Sequence, residues 1–214
     1  QRSNTIGIIV PEIVHHFFSS IISGIEDFAY ARGYRIMICQ SNEDQAREKI
    51  NTQALLDHRV DGILVSHSKS TLDFTHFHEA SESQIPIVFI DRFCKELDTD
   101  RVITDDFQGA KLITRYLIGK DRNRILHLSA PQHLLLGKER CRGYVEALME
   151  ANIQINEDRI LLCDTPAKVM AAREHILGLA GDTDGIFAVN DFTAVTVMKI
   201  LQEAGYSIPR DISV

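Results

Sequence analysis

Thr5–Gly33, TIGIIVPEIVHHFFSSIISGIEDFAYARG, reads as a strand, a loop and a helix. Ile6–Val10 is a short apolar run with β-branched residues, stopped by Pro11, which is the pattern of a buried strand. Phe18, Ile21, Ile22, Ile25 and Ala29 then recur at helical spacing. Gly33 stands where a glycine in the left-handed region ends a helix. Arg35–Cys39 supplies a second apolar strand. A strand–helix–strand unit of this kind joins parallel strands by a right-handed crossover.

The same unit is repeated downstream. Ala46–His58 is expected to be a helix, Ile63–Val65 a strand and Leu72–Ser83 a helix. Ile87–Ile90 and Val102–Thr104 follow as strands, then Phe107–Ile118 as a helix closed by Gly119. Gly119–Arg124, GKDRNR, is the most polar linker and the expected boundary between two lobes, residues 1–121 and 122–214. Beyond it come strand Ile125–Leu128, helix Glu139–Ala151, strand Ile160–Cys163, helix Ala167–Leu179 and strand Ile186–Val189. DGILVSHS from Asp61 and DGIFAVND from Asp184 each fall at the third strand of their half. The expected class is α/β, with two similar doubly wound parallel-sheet lobes.

A chain of 214 residues with 44% apolar content can bury a sizeable core. The formal charge of −7 opposes a grip on phosphate backbones by this chain itself. No apolar run approaches the length of a membrane span, and no signal-peptide pattern opens the chain. The four cysteines are scattered, without the tight spacing of zinc sites or redox motifs, so a reducing cytoplasm is the expected compartment. Nine histidines invite a metal reading, but His76 and His78 are two apart on one helix and His15-His16 lack a third ligand. No metal and no cofactor is expected.

In open parallel sheets, ligands bind beyond the carboxyl ends of the strands. Those ends are His15–Phe17, Ser66–Ser68, Asp91-Arg92, Thr104–Asp106, Ser129–Lys138 and Asn190-Asp191. They offer aromatic faces for the C–H face of a sugar, and Asp, Asn and Arg groups for neighbouring hydroxyls. The set suits a small polar molecule held in a cleft between two lobes.

Several stretches together resemble the effector-binding core of the LacI/GalR transcriptional regulators, which shares its fold with periplasmic sugar-binding proteins (type I). They are NTIGIIVPEIVHHFFSSIISGIEDFAYARGY, RVDGILV, IPIVFIDR, ERCRGY, DGIFAVND and AGYSIPRDISV, in an order that runs nearly end to end. The resemblance implies an effector cleft faced or edged by Phe17, Phe18, Asp91, Arg92, Arg140, Asn190 and Asp191. His15-His16 stand where relatives usually show Asn-Pro, and His15 is a further ligand-binding candidate, because a histidine there can still hydrogen-bond a ligand. The resemblance also implies a homodimer that reads operator DNA through a helix-turn-helix domain. Gln1 would begin after that domain, and Val214 would stop short of the family's C-terminal end.

Each candidate also has a plainer role. Phe18 is in register with Ile21, Ile22 and Ile25, a core position, whereas Phe17 is outside it. Asp191 reads as the N-cap of a helix Phe192–Ala204, which leaves Asn190 free for a ligand. Asp105-Asp106 reads as the cap before Phe107, and Asp91-Arg92 could be a surface ion pair. Arg140 sits at an expected helix start, where its charge would oppose the dipole and call for an anionic or hydroxyl-rich partner.

Three functions compete at this point. The first is an allosteric sensor core that binds a small effector, a sugar or sugar derivative, and controls DNA binding. The second is a periplasmic-type sugar-binding protein for transport or chemosensing. The third is an enzyme, but Pro11–His16 has no glycine for a phosphate-binding loop and no Gly-x-Ser-x-Gly elbow occurs.

Overall fold

The computed structural model describes residues 3–14 and 16–214. Contacts divide the chain into two compact units, Gln1–Thr104 and Asp105–Val214. The elements of the first are β1 (Thr5–Val10), α1 (His16–Tyr30), β2 (Arg35–Gln40), α2 (Gln45–Asp57), β3 (Gly62–Val65), α3 (Thr75–Glu82), β4 (Ile87–Ile90) and β5 (Asp100–Val102). Their sheet is parallel throughout, in the order β2-β1-β3-β4-β5. The opening stretch therefore forms the expected unit, and Gly33, at φ +75°, ends α1 while Tyr34 N–H donates to the Ala29 carbonyl.

Alternation along the strands sorts the core of this unit into two layers. Ile8, Val10, Phe18 and Ile22 pack together under α1. Ile9, Leu55, Ile63, Val65, Phe77 and Phe89 pack together under α2 and α3. The sheet is buried on both sides there, as parallel sheets require.

The second unit contains α4 (Asp106–Ile118), β6 (Ile125–Ser129), α5 (Leu135–Glu150), a 3₁₀ turn at Glu157–Arg159, β7 (Ile160–Leu162), α6 (Pro166–Ala171), α7 (Arg173–Ala180), β8 (Gly185–Ala188) and α8 (Asp191–Glu203). Its parallel sheet runs β7-β6-β8, so β6 lies between the next two strands as β1 does in the first unit. The two DGI stretches enter β3 and β8, the third strands of their sheets. The α/β class with two parallel sheets stands as expected.

The details depart from the expectation in places. Helix α4, expected in the first lobe, belongs to the second unit, where it packs on α5. Gly143 makes that packing close: a Cβ there would collide with the Phe107 carbonyl oxygen. The division of contacts accordingly falls at Thr104/Asp105 rather than at the polar linker, which merely joins α4 to β6. The helix expected at 167–179 is two, α6 and α7, meeting at Ala172 (φ −87°, ψ 6°), so that Val169 and Ile176 are both buried. Strand β5 is wholly exposed, so burial left no apolar signature to fix its ends.

Candidate functional site

The carboxyl ends of β1, β3 and β4 in the first unit carry most of its unusual polar chemistry. After β4 the chain turns at Asp91, which lies in the left-handed region at φ +65°. Asp91 N–H donates to the Val102 carbonyl and Arg92 N–H to the Ile90 carbonyl. Arg92 is drawn inward, with its side chain 9% exposed. Its guanidinium holds Glu43 bidentately, Nη1 to Oε2 at 2.8 Å and Nη2 to Oε1 at 3.1 Å, and Nη1 also donates to the His67 carbonyl at 3.1 Å. Its Nε stands 3.9 Å from Asp91 Oδ2. The Asp91-Arg92 pair is thus part of a larger internal network rather than a surface ion pair.

His67 is buried beside it, its Nδ1 2.9 Å from the Ser68 carbonyl and its ring edge-on to Phe74. Burial pushes the His67 imidazole below its ordinary range. At the other side of the strand ends, Phe17 is 49% exposed in the first turn of α1, whereas Phe18 is 6% exposed in the core. Their rings meet edge to face at 5.0 Å. The structure therefore places Phe18 in the packing role that its spacing favoured, and leaves Phe17 as the open aromatic face. His15 lies outside the described residues.

In the second unit Arg140 joins the end of β8 to the start of α4. Its Nε donates to Asp106 Oδ1 at 2.8 Å, its Nη2 lies 2.8 Å from the same oxygen, and its Nη1 donates to the Val189 carbonyl at 2.5 Å. The helix carrying it starts at Leu135, not at Glu139, so Arg140 is in the second turn and the expected opposition to the dipole does not arise. Its anionic partner is instead Asp106, in the first turn of α4. Asp105 is the cap of that helix, as expected, accepting from Gln108 N–H at 3.0 Å.

The cap role read for Asp191 falls to Asn190. Asn190 is the N-cap of α8: its Oδ1 accepts from Thr193 N–H at 3.0 Å, and its Nδ2 donates to the Asp164 carbonyl at 3.0 Å. Asp191 is the first residue of the helix and is exposed, where its charge suits the dipole. Asp164, buried at the end of β7, takes Lys168 Nζ at 2.6 Å. Glu43, Glu48, Asp106 and Asp164 were not singled out as site residues. Their partners stand 4 to 49 positions away, and only Lys168, four residues beyond Asp164, could have been paired by helical spacing.

The first unit offers an open phenylalanine and the second a guanidinium held in a fixed plane, each with hydrogen-bond donors and acceptors at its own strand ends. Such groups recognise a small polar solute by direction and shape. Among the described residues, no group of three or more His, Cys, Asp or Glu side chains is placed to hold a metal ion.

A family described as periplasmic binding proteins and sugar-binding domains of the LacI family matches residues 3–214. The chain belongs to this family. The HTH-type transcriptional repressor PurR of Vibrio campbellii is 32% identical over 218 residues, covering 100% of this chain and 64% of that protein. This LacI-family chain thus spans less than two thirds of that relative's length. Among solved structures, the transcription regulator CcpA of Lactococcus lactis superposes with a TM-score of 0.89 at 25% identity, covering 99% of this chain and 77% of that one. A periplasmic binding protein/LacI transcriptional regulator from Alkaliphilus metalliredigens, solved with D-xylulofuranose, gives 0.84 at 28% identity, over 99% and 76%. The resemblance read from the sequence is a family membership. No helix among the described residues is long and apolar enough to cross a membrane.

Proposed function

We propose that this chain is the effector-sensing core of a LacI-type transcriptional regulator, and that a small polar effector, a sugar or sugar derivative, binds at the carboxyl ends of its strands. In the second unit Arg140 is the principal polar contact, supported by Asn190 and Asp191; the first unit offers Asp91, Arg92 and the aromatic face of Phe17. The observation that carries this reading is the fixed Arg140 guanidinium at the strand ends of a chain that matches the LacI family over residues 3–214. The sugar assignment leans on the family's description and on the relative solved with D-xylulofuranose.

The parent protein then works by linkage. An effector that binds one conformation better than another shifts the population, and operator DNA, held by a helix-turn-helix domain of a homodimer, feels the shift. The function is binding without catalysis, in the cytoplasm. Relatives matched along the whole chain are named as transcriptional repressors, which favours this reading over a transport protein.

A thermal-shift series tests it, using the parent protein with pentoses, disaccharides, sugar phosphates and purine bases. A ligand at a hundred times its Kd adds about 2.7 kcal/mol, and each kcal/mol moves the midpoint by about 2–4 °C at this size. The reading predicts a clear rise for one sugar class, lost in Arg140→Ala. A rise confined to purine bases would replace the sugar assignment, and a rise that survives Arg140→Ala would displace the site.

A further inference from the structure

Glu48 is wholly buried, at 0% exposure, on α2, a helix otherwise built mostly of polar residues. Glutamate is almost never found fully buried without partners. Its carboxylate has four. Ser68 N–H donates to Oε2 at 2.5 Å and Ser68 Oγ to the same oxygen at 2.9 Å. Thr71 Oγ1 donates to Oε1 at 2.7 Å, and His76 Nε2 lies 3.0 Å from it. The Ser68 hydroxyl is also 2.8 Å from that of Ser41, at the end of β2. Burial alone would raise the acid's pKa, but the bonds from His76, Thr71 and Ser68 outweigh it and hold the carboxyl below its usual range.

These donors all belong to one run of chain, from the exit of β3 to the first turn of α3. The same run contains Ser66, whose hydroxyl is buried without a hydrogen-bond partner, and His67, whose carbonyl receives Arg92. The amide of Lys69 donates to Glu43 Oε2 at 2.7 Å, and Glu43 in turn holds Arg92. Two glutamates flanking the start of α2 therefore clamp residues 66–71 and, through them, the guanidinium at the end of β4.

A buried ionised group is a poor stability device, because an apolar side chain of similar volume often does as well. What an apolar side chain cannot do is hold the Ser68 amide and hydroxyl in one orientation. We propose that Glu48 is a positioning residue for effector binding: its carboxylate fixes residues 66–71 and thereby sets Arg92 and the strand ends that meet the effector. This rests on the effector reading given above.

The test uses the parent protein as wild type, Glu48→Gln, Glu48→Met and Thr71→Val, with D-xylulose, D-ribose, cellobiose and hypoxanthine as probes. Thr71→Val removes one bond to the same carboxylate without touching Ser68. Amide exchange is followed at Ser68 and Lys69 without ligand, and Kd is measured for whichever probe the wild type binds. The expected result is exchange at Ser68 at least tenfold faster in both Glu48 variants, with Ile8 and Leu64 amides unchanged. Kd should rise at least tenfold in those variants and by a smaller factor in Thr71→Val, which loses one bond to the carboxylate and keeps both bonds from Ser68. An equal Kd in wild type and Glu48→Gln overturns the proposal and leaves the effector reading standing. Unchanged exchange at Ser68 overturns it without any ligand. If no probe binds the wild type, the effector reading fails for those classes, while the exchange result still decides whether Glu48 fixes the segment.

Discussion

Arg140 reaches Asp106 with two of its nitrogens at once: Nε and Nη2 both stand 2.8 Å from Oδ1 of the aspartate. The third contact, Nη1 to the Val189 carbonyl, pins the guanidinium plane between α4 and the end of β8. A long, flexible side chain is thereby ordered before any ligand arrives, which lowers the entropy lost on binding. Asp106→Ala should weaken effector binding by about tenfold, the scale of a charged hydrogen bond at a partly exposed site. Asp106→Asn should recover part of it. Calorimetric titration of the two variants checks the order.

Asn190→Ala should lower stability, because the side chain caps α8 through Thr193 N–H. The loss expected for a missing cap is about 1 kcal/mol, or a midpoint lower by about 2–4 °C. Asn190→Asp keeps the cap acceptor but loses the bond from Nδ2 to the Asp164 carbonyl, and should melt between the wild type and Asn190→Ala. A thermal melt of each variant without ligand separates this structural share from any loss of effector affinity.

The two phenylalanines should separate cleanly. Phe18→Ala empties a core position and should cost about 3–5 kcal/mol. Phe17→Ala removes a half-exposed ring, should cost below about 1 kcal/mol, and should show itself mainly in effector Kd. Denaturant unfolding and ligand titration of both variants test the contrast.

Acid should destabilise the second unit through His127. This side chain is wholly buried in β6, stacked on Phe187 at 4.6 Å and tilted against Tyr144 at 5.1 Å. Burial lowers its pKa to about 4, with the charge of Arg140 acting in the same direction against a hydrogen bond at the Phe187 carbonyl. The unfolded chain binds a proton near 6.5, so between these values it holds more protons than the folded one. The stabilisation is full above about 6.5 and is lost as pH falls towards 4, on the order of 3 kcal/mol in all. Chemical denaturation from pH 7 to 4.5 should show that slope, flattened in His127→Leu.

Much of the architecture was legible in short range. The strand–helix–strand opening, Gly33 and the paired DGI entries into β3 and β8 are local patterns that burial and backbone geometry impose. The site was less legible, because its geometry depends on single-residue offsets and distant partners. Asn190 and Asp191 are both good caps, and only the observed turn tells which residue opens α8. Leu134 caps α5 without a side-chain hydrogen bond, so the sequence carries no start signal there and places the helix start at Glu139, four residues late. Glu48 carries no local signal of burial, because its partners Ser68, Thr71 and His76 lie 20 to 28 positions away. Arg92, Arg140 and Asn190 stand out in the sequence because the ends of parallel strands are where such polar groups collect.

Under the proposed function, an effector held by Arg140 changes the grip of the parent protein on DNA. The most direct measurement is fluorescence anisotropy of the parent protein on an operator selected from random-sequence duplexes, with and without saturating effector at fixed salt. Operator Kd should change by about 5- to 150-fold, and the change should vanish in Arg140→Ala with the effector-free Kd unchanged. An operator Kd that stays the same when the effector is bound would contradict that function.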